Sequence, residues 1–590
     1  MKTLSILAAG LVLLALSPLA DACRRCRSHP QAQCQEIPNT FVAVDKPLVK
    51  KKPPVDHVQK AIDRGIKYLR QTQRDNGRWG FNLPAAMHQG GWTSLSLLAL
   101  LNANVPANDP MIAKGLAFLR GLRPPTTYVR ALQTMVLVQA GQREDAELIS
   151  QNVQWLIDAR VLKNEEFRGW SYSKARWLTT DNSNTQYAIL GLHAGKKAGV
   201  KIKEEIWKSI RDYYIRTQKK DGGFTYNPVG REGGTSLTMT TAGLCGLLIA
   251  SMELNAGREI LQEDGTAKNC GNYEENLAVQ KAFGWINRRD PLVLNLPQRT
   301  FYNLYGVERA ARLSGMRFLG GDWYREGCEY LVRAQKDDGS WQNQGAWDQW
   351  PVVSTSFALL FLAKGRTPVL INKLVHTPRG MRERDDFDWN NDKNDLRHLT
   401  EFASNKLFND RPLAWQIFDL VRAAGPAPNK NDLDNVTADL LESPILYLTG
   451  HKNVNLRLNE TERKLLQRYV EQGGFILAEA CCGSKDFDRG FKELVKELWP
   501  KHPLKELPAN HKVWNAYHPV RPGQPYKLMG IQVGKKTVLI YSPQDLSCRW
   551  ESNNLKDGQV QAAFRLGANV IAYATNMQMP GPRLIKVLGK

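Results

Sequence analysis

The chain is 590 residues long with a net charge of +22 and nine cysteines. That length exceeds one ordinary core, so two or more domains are expected, and so few cysteines exclude a disulfide-dense framework. The basic balance suits a solvated surface, or attraction to anionic envelope material that would allow peripheral membrane association; nucleic acid is disfavoured, because no binding module is recognisable.

Residues 1–22 read as an export signal. Lys2 supplies the positive start, Leu4 to Leu16 the apolar run, and Ala20-Asp21-Ala22 the small-x-small cleavage pattern. No later apolar stretch reads as a membrane span. Cys23 follows the cut, but Ala20 and Asp21 fit a lipoprotein signal poorly, so a lipid anchor is disfavoured. Export places the mature chain in the periplasm or cell envelope. Residues 23–56 are rich in Cys, Pro and Lys and read as a linker; Cys23-Arg24-Arg25-Cys26 offers half of a zinc site, with no second half nearby.

From residue 57 one pattern recurs: an amphipathic segment, a polar turn, then an apolar segment rich in small residues. First segments include Gly65 to Leu69, Gly115 to Leu119 and Gly327 to Leu331, and second segments include Trp92 to Leu101, Asn184 to Gly195 and Thr355 to Ala363. Six such hairpins fit residues 57–370. A turn motif punctuates them, with Gln73, Gly77 and Trp79 in one copy, Gln218, Gly222 and Phe224 in a second, and Gln335, Gly339 and Trp341 in a third. Glycine suits the left-handed turn, glutamine can bridge to the next repeat, and the aromatic seals the gap. This motif is similar to the glutamine-tryptophan repeat of squalene-hopene cyclases, relatives of the protein prenyltransferases. The resemblance implies an (α/α)6 toroid in which the motif is structural.

The chemistry of those enzymes is not readable here. Between residues 57 and 370 there is no Asp-x-Asp-Asp acid, and none of Cys245, Cys270 and Cys328 follows an aspartate by two. No metal site and no cofactor motif is assigned. Trp79, Trp92, Trp170, Trp341, Trp347 and Trp350 read as packing residues, or as a platform for a sugar or isoprenoid.

Residues 371–384 read as a basic linker, and 385–590 as an α/β domain. Strands are expected over Pro444 to Gly450, Phe475 to Glu479 and Lys536 to Ser542, with helices from Asn459 and Asp486. Phe387 to Asn391, Tyr447 to His451, Gly473 to Phe475, Cys481 to Gly483 and Tyr541 to Leu546 resemble the family called domain of unknown function 4159. That resemblance implies a flavodoxin/glutamine amidotransferase-like open parallel sheet. Cys481, between a strand and a helix, is a weak candidate nucleophile, with Glu479 standing where a nucleophile elbow has glycine. His451, His511 and His518 are the available bases. Cys482 and Cys548 are a possible disulfide, and metal binding is the remaining use of these thiols.

The expected protein is thus multidomain, α then α/β. It would bind an elongated polyprenyl or glycan ligand, or a protein partner, in the toroid, without the readable catalytic motifs. The alternative is an enzyme acting on such a substrate in the toroid cavity. Oligomeric state is not legible.

Overall fold

The computed structural model describes residues 56–80, 89–174, 179–228, 233–255, 258–288, 299–377 and 388–585. The residues read as an export signal and as a linker before Asp56, with Cys23 and Cys26, lie outside these, as does the side chain of Trp347. Twelve helices fill the first part of the described chain. Asp56 opens α1 (His57–Thr72) by accepting the Gln59 amide at 2.9 Å. The odd-numbered helices that follow are α3 (Pro110–Arg120), α5 (Ala146–Asp158), α7 (Glu204–Thr217), α9 (Asn276–Asn287) and α11 (Trp323–Ala334). The even-numbered ones are α2 (Gly91–Asn102), α4 (Thr127–Ala140), α6 (Asn182–Lys197), α8 (Leu237–Asn255), α10 (Thr300–Ser314) and α12 (Pro351–Gly365).

The two sets differ in burial because they differ in sequence. The odd helices keep one polar face, whereas α2 is buried almost all round. Each even helix packs on the next, and α12 packs back on α2. Small residues permit the approach: Ser96 of α2 meets Ser356 of α12 at 3.2 Å, and a Cβ on Gly191 of α6 would lie 2.9 Å from the Ala131 Cα of α4. Contrary to the expectation from sequence, α8 is long and apolar enough to span a bilayer by composition. However, 72% of its apolar window is buried inside the fold, so its apolarity belongs to the core.

The turn motif repeats one geometry three times. Gln73, Gln218 and Gln335 each donate to the carbonyl of the motif glycine at 3.0 Å. Each also reaches the next odd helix, at Met111, Ala278 and Ala61 respectively, over 2.8–2.9 Å. Gln335 thereby ties the end of α11 back to α1. The indoles of Trp79 and Trp341 donate to Leu69 and Leu331 at 2.8 Å. Trp170 makes the same bond to Leu156 at 2.7 Å, a degenerate fourth copy. Gly339 has φ +88°, and a Cβ there would lie 2.5 Å from the Arg64 carbonyl. Gly339→Ala is therefore expected to destabilise the protein by about 2 kcal/mol or more, combining left-handed backbone strain with the clash. An unchanged melting temperature would contradict this packing.

Aromatic and polar side chains of the even helices pack against one another. Tyr187 and Tyr302 stack with centroids 6.4 Å apart, Tyr305 lies 5.3 Å from Phe357, and the Arg309 guanidinium sits 4.0 Å over Tyr305. Gln186 bonds both Tyr302 and Arg309. The Tyr187 and Gln186 contacts cross from α6 to α10, and Tyr305–Phe357 crosses from α10 to α12.

The second part is a seven-stranded sheet. Its strands are β1 (Val369–Leu374), β2 (Ala414–Phe418), β3 (Ile445–Gly450), β4 (Phe475–Ala480), β5 (Lys505–Glu506), β6 (Met529–Val533) and β7 (Lys536–Ser542), in the spatial order β2-β1-β3-β4-β7-β6-β5. The first five in that order run parallel, and β6 and β5 are antiparallel additions. Every residue of β1, β3 and β4 is buried, as central parallel strands require. One face is covered by α13 (Asp395–Leu407), α18 (Ser547–Ser552) and α19 (Gly558–Thr575). The other is covered by α14 (Leu420–Ala424), α15 (Lys430–Leu440), α16 (Glu460–Glu471) and α17 (Lys485–Leu498).

β1 corrects the boundary read from sequence. Residues 369–374, which read from sequence as the end of the helical region and the start of a basic linker, form a central strand four residues after α12. Lys373 disguises it, and its charge is met inside the fold by Asp395 at 2.8 Å. The two parts are tied together by Arg317, which reaches Asp322 at 3.1 Å and Asp439 of α15 at 3.0 Å. The segment after α10 also adds to the outer edge of β2, where Ile417 donates to Gly315.

Candidate functional site

Parallel strands point their carboxyl ends at one edge, and side chains placed just after those ends share a crevice. Here β3 is followed by His451, β4 by Cys481 and Cys482, and β7 by Asp545 and Cys548. The segment Asp388 to Asn394 crosses above them. Asp388 accepts the amides of His451 at 3.0 Å and Lys452 at 2.9 Å. A Cβ on Gly450 would lie 2.7 Å from that carboxylate, so the closeness depends on glycine. Most of the motif pieces read from sequence as one family signature, otherwise far apart in the chain, meet at this edge.

Four thiols converge there. Cys481 Sγ lies 3.4 Å from Cys270 and 3.8 Å from Cys548, and Cys482 Sγ lies 3.5 Å from Cys548. Cys270 comes from the α8–α9 connection of the helical part. Asp392 Oδ2 is 3.4 Å from Cys481 and 3.5 Å from Cys548, and His451 Nε2 is 3.7 Å from Cys270. All four cysteines are free. The possible Cys482–Cys548 disulfide is thus not formed, its sulfurs being well beyond the bonded distance of about 2.05 Å. Sequence reading missed Cys270 and Asp392, and so assigned no metal. The available signal was that Cys270 lies in a polar segment without apolar period, where core packing gives a thiol no purpose.

The electrostatics follow from crowding. Burial pushes the Cys481 thiol well above its ordinary value, and hydrogen bonds to Cys270 and Cys482 add to this. Hydrogen bonds from Cys270, Cys481 and Cys548 pull Cys482 far down, so a thiolate concentrates there. Burial opposes the His451 cation, but hydrogen bonds to Cys270 and Cys482 outweigh it and raise it to about 10. Burial also lifts Glu479 to about 7, with Asp545 adding to the effect. Glu479 accepts from Tyr447 at 3.1 Å and from the Leu546 amide at 3.0 Å, beneath the thiols. By contrast Cys245 and Cys328 are lone core thiols, raised by burial to about 11 and about 12.

Cys481 therefore sits inside a thiol cluster rather than at an open elbow. Cys482 holds the unusual backbone, at φ +53°, pinned by its amide bond to Asp545 at 2.9 Å. His511 bonds Thr537 at 2.9 Å, and the His518 amide bonds Asn569 at 2.7 Å. Cys481 and Cys548 are fully buried and Cys482 is partly exposed. In reduced protein, iodoacetamide is accordingly expected to modify Cys482 well before Cys481 or Cys548, as read by peptide mass spectrometry. Equal labelling of Cys481 would contradict this geometry.

Beside the cluster, over the ends of β1 and β2, lies a cavity of about 790 Å³. Its far wall is α8, α9 and the end of α10, through Met252, Phe283 and Leu313. Its near wall includes Val375, Trp389 and Asn391, and the cations Arg288, Arg397 and Arg422 border it. Gly271, next to Cys270, also lines it, and a Cβ there would lie 3.3 Å from Asn391 Oδ1.

No curated protein matches the chain. Residues 382–575, about a third of the chain and all within the α/β part, match the family described as Domain of unknown function (DUF4159).

Proposed function

We propose that this is an exported, non-catalytic ligand-binding protein. In it, residues 57–365 form an (α/α)6 toroid of the terpenoid-cyclase kind that acts as a scaffold, and the ligand lies in the crevice between that toroid and the α/β domain. The toroid reading is supported by the cyclic packing of the even helices and by the three turn motifs, whose glutamines make the same two hydrogen bonds. The observation that carries the binding reading is the cavity over the strand ends. Its volume lies in the range of small-molecule sites, its walls are largely apolar, and guanidinium groups border it. The toroid axis, filled by Tyr187, Tyr302, Tyr305 and Phe357, offers less room. The ligand expected from sequence therefore moves from the axis to the crevice. Apolar walls with cations suit an amphiphile with an isoprenoid-like chain and an anionic head, rather than a neutral glycan. Export and peripheral attachment of the basic chain to an anionic membrane surface complete the reading.

Two measurements test it. Native mass spectrometry of the purified chain should show a retained amphiphile. A short polyprenyl phosphate should bind, and Phe283→Ala should weaken it about tenfold or more, the loss expected for removing a buried aromatic contact. Tyr187→Phe, on the toroid axis, should leave affinity unchanged. Equal binding of a neutral oligosaccharide, or insensitivity to Phe283, would overturn the reading. Turnover of the bound amphiphile would favour the enzyme alternative.

A further inference from the structure

We infer that Cys270, Cys481, Cys482 and Cys548 form a binding site for a single tetrahedral zinc-class ion, which locks the α8–α9 connection onto the sheet edge. The sulfurs carry the argument. Cys270, Cys481 and Cys482 lie mutually within 4.8 Å, as do Cys270, Cys481 and Cys548, and Cys481, Cys482 and Cys548. All six pairs thus lie within 4.8 Å, compact enough for four sulfurs to share one tetrahedral ion. Three of its edges measure 3.4, 3.5 and 3.8 Å. A zinc ion at about 2.3 Å from four sulfurs needs edges of about 3.8 Å, close to those found. Iron–sulfur clusters place several metal atoms between their cysteines and would spread the sulfurs farther apart, so a mononuclear centre fits and a cluster does not. Soft thiolate ligands in a tetrahedron select zinc over magnesium or calcium.

A second observation comes from what surrounds the sulfurs. The buried Asp392 carboxyl faces Cys481 and Cys548, and the His451 ring faces Cys270. The Cys482 and Cys548 amides both reach Asp545 Oδ1, at 2.9 and 3.4 Å. Asp545 is in turn paired with Arg549 at 2.5 Å. Outer groups that orient metal ligands are arranged in this way, whereas lone core cysteines have no such shell. Each ion bound releases the protons of the thiols it captures.

Four sulfur ligands leave no open coordination position, so the ion is structural. Three ligands belong to the α/β domain and Cys270 to the helical part. The ion therefore fixes Gly271 and Tyr273, which follow Cys270 and line the cavity. Tyr273 accepts the Lys393 amide at 3.2 Å and donates to Glu551 at 3.1 Å, so the same loop is held at a second point. This inference stands independently of the ligand proposed for the cavity.

The test uses the full mature chain. Elemental analysis should give about one zinc per chain, and cobalt exchanged into the site should show the intense visible bands of a tetrahedral cobalt thiolate. Cys270→Ser and Cys482→Ser should each lower metal affinity about tenfold or more, while Cys245→Ser, in the helical core, should leave it unchanged. Chelation should raise hydrogen exchange in residues 266–275 without loosening α1–α7. If the Cys variants fail to fold, the cobalt spectrum of the unaltered protein still decides. Octahedral cobalt without thiolate bands, metal-free protein with four reactive thiols, or a Cys482–Cys548 disulfide in protein purified without reductant would each overturn the proposal.

Discussion

Trp341→Ala is expected to lower the unfolding free energy by about 3–5 kcal/mol, the range for emptying a buried aromatic site. Trp341 is fully buried, its indole donates to Leu331 at 2.8 Å, and its amide donates to Thr355 at 3.1 Å. Its ring also fills the space beside Gly65 of α1, where a Cβ would come within 2.9 Å. The residue thus sits where the last hairpin meets the first, and its loss opens that seam. Trp341→Phe should cost less, because Phe224 occupies the same position in the second copy, with its amide on Thr240 at the same 3.1 Å. Gln335→Ala attacks the same seam through polar groups. It strips a donor from the Ala61 and Gly339 carbonyls and should cost about 1–3 kcal/mol. Denaturant unfolding, with hydrogen exchange in α1 as the local probe, orders the three. A loss below about 1 kcal/mol for Trp341→Ala would mean that α1 and α11 are held mainly elsewhere.

The sequence was most informative where burial follows a local period. The apolar runs 445–450, 475–480 and 536–542 are strands, and the capping box read at Asn459 is present, with its side chain on the Glu462 amide at 3.0 Å. The turn motif was legible because glutamine, glycine and aromatic each have a local job. What was missed depends on distant partners. β1 reads as linker because Lys373 interrupts it, and only Asp395, twenty-two residues on, explains that lysine. β2 is short, and its outer edge is completed by the segment after α10. The thiol cluster draws on the α8–α9 connection and on two separate stretches of the α/β domain, Cys481-Cys482 and Cys548. Nothing in the spacing of Cys270 and Cys481, 211 residues apart, announces a shared site. Sequence placed a strand end beside Cys481 correctly, but which thiols stand opposite is a property of the sheet order.

Lys373→Met should be nearly as damaging as Trp341→Ala, at about 3–5 kcal/mol, because it leaves a carboxylate buried without its cation. Lys373 and Asp395 both have fully buried side chains, 2.8 Å apart, and Lys373 Nζ also donates to the Asp392 carbonyl at 2.7 Å. Burial raises Asp395 to about 6, with Lys373 opposing the rise. A folded value above the ordinary 3.8 means that folding takes up this proton, so the contribution of Asp395 to stability improves as pH falls through about 6. Without the lysine the folded value rises further. The deficit of Lys373→Met is then largest at pH 8 and shrinks toward pH 5, whereas the deficit of Trp341→Ala is flat over that range. The double variant Lys373→Met with Asp395→Leu removes both charges and should regain most of the lost stability. It cannot regain the bond to the Asp392 carbonyl. The segment carrying Asp392 and Asn394 would then be anchored by Glu551, which accepts the Asn394 amide at 2.5 Å. Recovered stability with a weakened metal site would separate two roles of one lysine: neutralising the core beneath the sheet edge, and setting the height of Asp392 above the thiols. Recovery of both would assign Lys373 to folding alone.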